Sequence, residues 1–179
     1  MRKLKNTELN RKSIEEFKKA EKTPAIVILD NIRSLHNVGS IFRTSDSFLI
    51  KKVFICGITA TPENQRMGKT ALGSTDSVDW EYMKDPKELI NKLEKDNVII
   101  VSVEQADQSI KIQDFKPVDG FDYAFVFGNE VDGVREEFIK ASKHVLEIPQ
   151  EGTKHSLNVS VAAGVILWDF YKKCGLDNT

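Results

Sequence analysis

Cysteine, histidine and proline are all scarce in this chain of 179 residues, which holds two Cys, three His and five Pro. The cysteines, Cys56 and Cys174, stand far apart with no CxxC and no His/Cys cluster, which argues against a disulfide framework or a zinc ribbon and suits a reducing cytoplasm. His36, His144 and His155 show no ligand spacing, so no metal is expected. The longest apolar run, around VSVAAGVILW, is too short to span a bilayer, and MRKLKN leads into polar sequence rather than a signal-peptide core, so no membrane role is expected. No GxGxxG follows a strand pattern, no GxxxxGK with Ser or Thr occurs, and there is no GxSxG. A dinucleotide fold of the usual kind, a P-loop and a nucleophile elbow are thereby disfavoured.

What is present describes one globular domain, with 40% hydrophobic and 30% charged residues. The net charge of −1 conceals an asymmetry: residues 1–22 hold eight Lys/Arg against four Glu, leaving −5 on the remainder. The chain divides into a basic N-terminal helical arm, 1–22, and a main domain, 23–179. Ser13 and Glu16 have capping-box spacing and Ile14 and Phe17 form a narrow apolar stripe, which predicts a helix over 8–21 with its basic residues on the wet side.

Short β-rich apolar runs recur at 25–29, 53–56, 97–103, 122–127 and 144–148, with SVDW at 77–80 as a further candidate. Helical patterns lie between them at 38–49, 86–95, 134–143 and 157–173, the second with Pro86 at its first position. This alternation predicts an α/β fold with a mostly parallel sheet flanked by helices. The last helix is apolar on nearly every face, and Ala162, Ala163 and Gly164 allow close backbone approach. That pattern predicts either a homodimer interface or burial within the chain.

In open α/β sheets ligands collect beyond the carboxyl ends of the strands. Three strand exits are unusual. The first, DNIRSLHNVGSIFR, offers Asn37 as a helix N-cap, Gly39 as a point of close approach, and Arg43, which could simply pair with Asp46. The second, FGNEVDGV, has Gly128 and Gly133 for a tight turn that projects Glu130. The third, IPQEGTKHSLNVS, stops its strand with Pro149, loosens at Gly152, and offers Ser156 to cap the last helix with Asn158 in its first turn.

Together these segments resemble the SpoU, or TrmH-like, RNA 2'-O-ribose methyltransferases of the SPOUT superfamily, over roughly residues 24–170. Asn37, Gly39 and Arg43 match the first motif; Phe127, Gly128, Glu130 and Gly133 the second; Ile148, Pro149, Gly152, Ser156, Leu157 and Asn158 the third. One departure is the proline that the family commonly has near Asn37, where this chain has Leu35 and His36.

The resemblance implies a deep C-terminal trefoil knot, against the general rarity of knots, and an obligate homodimer. It implies methyl transfer from S-adenosylmethionine to a ribose 2'-hydroxyl of structured RNA, tRNA favoured over rRNA. Phe127, Gly128, Ile148, Pro149, Gly152, Ser156 and Leu157 are then expected at the cofactor. Arg43, Asn37, Glu130, Ser156 and Asn158 are expected in catalysis, with Arg43 as the central residue. Many relatives have a separate RNA-binding domain where this chain has its basic segment. Arg2, Lys3, Lys5, Arg11, Lys12 and Arg43 are therefore the expected RNA contacts. Two other readings are a catalytically silent knotted RNA-binding module and a domain for some other nucleotide.

Overall fold

The computed structural model describes residues 1–175. Seven strands form one parallel sheet in the order β3-β2-β1-β6-β4-β7-β5. They are β1 (Thr23–Asp30), β2 (Ile50–Cys56), β3 (Trp80–Met83), β4 (Ile99–Val103), β5 (Ile110–Lys111), β6 (Tyr123–Phe127) and β7 (His144–Glu147). The helices are α1 (Ile14–Lys19), α2 (Leu35–Ser47), α3 (Gly68–Ala71), α4 (Ser74–Ser77), α5 (Pro86–Lys95), α6 (Glu136–Ala141) and α7 (Val159–Lys173).

The central strands are near-continuous apolar runs because both faces of the sheet are covered. On one face Ala25, Val27, Leu29, Val101, Phe125 and Phe127 pack against Val38, Ile41 and Phe42 of α2 and Ala163, Ile166, Leu167 and Phe170 of α7. On the other, Ile26, Ile28, Phe54, Ile100, Ala124 and Val126 meet Leu89, Ile90 and Leu93 of α5 and Phe138 of α6. The period of two along β1 sends alternate residues to the two layers. In register, Val27 stands beside Val53 on one flank and Phe125 on the other.

Several boundaries differ from the sequence reading. The predicted helix over 8–21 is only α1; Ser13 Oγ accepts from Glu16 N and the Glu16 carboxylate accepts from Ser13 N, so the capping box forms as expected. Phe17 is buried in the core while Ile14 is exposed, which ties α1 to the domain and leaves residues 1–12 as the outer basic stretch. Residues 74–77 form a helical turn, and the strand expected at 77–80 starts at Trp80. Strand β5, two residues long and paired to β7 at Ile110 and Leu146, has no sequence period to reveal it. Asn37 is not the cap of α2: Ser34 is, its hydroxyl accepting from Asn37 N. Nor does Ser156 cap α7, since Asn158 does, accepting from Ser160 N at 2.9 Å. No helix among the described residues is long and apolar enough to cross a membrane.

Candidate functional site

A cleft of about 570 Å³ opens beyond the carboxyl ends of β4, β6 and β7, at the N-terminal end of α7. Its lining includes Phe127 and Gly128 at the exit of β6, Ile148 after β7, and Ser156, Leu157 and Asn158 leading into α7. The apolar share comes from Val103, Leu146, Ile148, Leu157 and Ala162, the charged share from Glu104, Glu130 and Glu147. A volume in the range of small-ligand sites, with apolar and polar groups sharing the wall about equally, suits a nucleoside-sized ligand.

The exit of β6 is a tight turn. Asn129 N donates to Gly133 O at 3.0 Å and Gly133 N donates back at 2.9 Å, while the Asn129 side chain accepts from Val131 N and donates to Asn31 O. Glycine is required at both ends. A Cβ on Gly128 would stand 2.2 Å from the backbone of Gly133 and Val134, and Gly133 itself has φ +70°. Glu130 projects from this turn. Behind it, Asp30, fully buried at the end of β1, accepts from Arg135 Nε at 2.7 Å and from Arg135 N at 3.1 Å, which anchors the far side of the turn to the sheet.

Three residues remote in sequence converge beside the cleft. The Asn37 side-chain amide donates to Glu130 Oε1 at 2.7 Å, and Asn158 Nδ2 donates to Asn37 Oδ1 at 3.2 Å. Asn37 sits in the first turn of α2 and is buried, and Asn158 both caps α7 and lines the cleft. One buried amide thereby uses its donor and its acceptor to join all three motif segments.

Other expected residues stand apart. Arg43 is exposed on α2, outside the cleft lining, and six residues after Asn37 it points about 120° away around the helix. Asp46 does not take it as a partner; that carboxylate accepts from Ser77, and no ion pair to Arg43 forms among the described residues. Pro149 and Gly152 are exposed beyond the lining, and nothing among the described residues lies within 4 Å of a Cβ built on Gly152, so no described neighbour demands glycine there. Gly39 meets Thr70 and Ala71 rather than the cleft. Lys3, Lys5, Arg11 and Lys12 are exposed, as is Arg2, which pairs with Glu8 at 2.6 Å. Glu104 and Gln105, at the exit of β4, also line the cleft; no local sequence pattern marks them, and it is the sheet order that places them there.

The profile of the SpoU rRNA Methylase family matches residues 24–168. The chain belongs to that family. It is 28% identical over 155 residues to the 23S rRNA (guanosine-2'-O-)-methyltransferase RlmB of Neisseria meningitidis, covering 87% of this chain and 61% of that protein. It is 30% identical to a protein of Borreliella burgdorferi named as an uncharacterized tRNA/rRNA methyltransferase, covering 91% of this chain and 70% of that one. The chain thus spans about three fifths of the length of the Neisseria relative. Among solved structures, the A. aeolicus TrmH/SpoU tRNA modifying enzyme superposes with a TM-score of 0.80 at 24% identity, covering 92% of this chain and 82% of that one. An AdoMet-bound rRNA methyltransferase from Sinorhizobium meliloti gives 0.79 at 23% identity, over 85% and 57%. These superpositions show the fold, a mostly parallel sheet flanked by helices.

Proposed function

We propose that this SpoU-family chain transfers a methyl group from S-adenosylmethionine to a ribose 2'-hydroxyl of structured RNA, with tRNA as the favoured substrate. The observation that carries this reading is the junction of Asn37, Glu130 and Asn158 at a nucleoside-sized cleft. The donor set fits the ligand: carboxylates suit a cationic sulfonium, and the apolar wall of Leu146, Ile148 and Leu157 suits a purine. Gly128, Ile148 and Leu157 would hold it through their backbone groups. Bound there, S-adenosylmethionine would supply an already activated methyl group.

The protein's task is to position the two reactants and to ease loss of the hydroxyl proton. A guanidinium stays protonated, so Arg43 acts here as a phosphate ligand and stabilises charge developing on the ribose oxygen. Arg43 stands outside the cleft of its own chain, which favours an active homodimer. The stripe Val161, Val165 and Trp168 of α7 is exposed, and the Trp168 ring packs at a tilt on Phe48 next to the end of α2. Space is open at Gly164 as well. A second copy seated on this stripe would lie beside the exposed side of α2 and complete the site.

The reading includes the trefoil knot at the C-terminal end, with the 149–157 loop and the helix that follows it passed through another loop. Its support is that β7 lies between β4 and β5 while α7 returns to pack on α2. If α7 must thread, a stable domain fused after it slows refolding severalfold; unchanged kinetics would remove the knot. For the activity itself, labelled S-adenosylmethionine is incubated with bulk RNA and the product nucleotide mapped by mass spectrometry. Label at a ribose 2'-oxygen of tRNA is expected. RNA binding without any transfer would favour the silent module instead, and tighter binding of ATP or NAD than of S-adenosylmethionine would replace the donor.

A further inference from the structure

Strand β4 lies between β6 and β7, so the segment leaving its carboxyl end stands between the two loops that line the cleft. That segment begins with Glu104 and Gln105. Glu104 N donates to Leu146 O at 3.0 Å. One carboxylate oxygen of Glu104 accepts from Val134 N at 3.1 Å, and the other from Gln105 N at 2.9 Å. Gln105 Nε2 donates to His155 O at 2.8 Å. The dipeptide therefore fastens the turn after β6 with one residue and the loop before α7 with the other. The Glu104 carboxylate fills the space that a side chain on Gly133 would take, 2.3 Å from the Cβ position.

This carboxylate is half-buried in the cleft wall and has no cation paired with it among the described residues. Each of its oxygens has about two acceptor positions and gives one to a backbone amide. One acceptor position remains on each oxygen.

We infer that Glu104 is a cofactor-binding residue whose two remaining acceptor positions take the vicinal ribose hydroxyls of the adenosyl group. The inference rests on the donor reading given above. A vicinal diol presents two O–H donors at a spacing that one carboxylate can accept together, which is how an acidic residue selects ribose in dinucleotide folds. The amide anchors hold the carboxylate in one orientation before the ligand arrives, so little ordering is left to binding. Gln105 is a positioning residue in this scheme, holding the loop that bears Ser156 and Leu157.

The test is calorimetric binding to the full chain and to its Glu104→Ala and Glu104→Gln variants. The ligands are S-adenosylhomocysteine, 5'-methylthioadenosine, which lacks the amino-acid moiety, and the 2',3'-dideoxy form of the latter. Both variants are expected to bind the first two roughly ten- to a hundredfold more weakly than the parent, and the dideoxy ligand as the parent does. Glu104→Gln keeps the side-chain length and serves should Glu104→Ala unfold. Weakening toward S-adenosylhomocysteine alone would assign the carboxylate to the ammonium group, and equal weakening toward all three would reduce it to a wall of the cleft; either overturns the inference. A parent chain that binds neither natural ligand overturns the donor reading and this inference with it.

Discussion

Asn37 and Glu130, 93 positions apart in the chain, meet through a 2.7 Å hydrogen bond in which the asparagine amide is the donor. The same side chain accepts from Asn158, so it needs both of its functions. Asn37→Asp removes the donor and sets a second carboxylate against Glu130. Methyl transfer should fall by at least about tenfold, since a hydrogen bond to a charged group is worth roughly 1.5–3 kcal/mol. Steady-state kinetics of this variant, compared with the milder Asn37→Gln, is the check, and parent-like turnover in Asn37→Asp would dissolve the proposed junction.

Arg43 gives a prediction of a different kind. Because it is exposed, Arg43→Lys should leave the thermal midpoint unchanged while turnover falls on the order of a hundredfold, as a forked planar cation becomes a point charge. Near-normal turnover would end its catalytic assignment. Trp168→Glu should dissociate the proposed dimer in sedimentation, and mixed dimers of Arg43→Ala with Glu130→Gln should regain part of the activity lost by each alone.

The basic stretch can be separated from the core. Deleting residues 2–12 removes Arg2, Lys3, Lys5, Arg11 and Lys12 but spares the buried Phe17. RNA affinity should weaken and its log–log salt slope flatten by about 0.7–0.9 for each phosphate that is no longer neutralised, with no change in melting. Deletion of 1–22 should also destabilise, by about 3–5 kcal/mol for the loss of a buried phenylalanine.

Asp30 and Arg135 form an ion pair in which the carboxylate is wholly inaccessible and the guanidinium partly exposed. Arg135→Met strands that charge and should cost about 3–5 kcal/mol in chemical denaturation. Adding Asp30→Asn should recover most of it. A single variant as stable as the parent would show that the pair does not hold the turn after β6.

Burial pushes the His144 imidazole below its ordinary range, and its ring packs edge-on to Phe115. The folded state therefore binds this proton less readily than the unfolded chain. Its contribution to stability is present above the unfolded pKa near 6.5 and is lost as pH falls from there toward the lowered folded value. Denaturation midpoints measured from pH 7.5 to 5 should fall less steeply in His144→Gln than in the parent.

Local signals were legible wherever the physics is local. The capping box of Ser13 and Glu16, the apolar runs of β1 and β6, and Pro86 at the start of α5 depend on neighbours within a few residues, and each lies where the sequence placed it. Caps were less secure when several candidates adjoined. Ser34 rather than Asn37 caps α2, because the Asn37 side chain is committed to Glu130 and Asn158.

The amino-acid sequence by itself determined the alternation of strands and helices, the three polar strand exits and the uneven charge, since these follow from side-chain size, periodicity and ionisation. Only the tertiary structure decided which exits share one cleft, that Glu104 joins them, and that Arg43 faces away. Those outcomes depend on strand order, and pairing β6 between β1 and β4 is a long-range choice of burial that no short stretch of residues encodes.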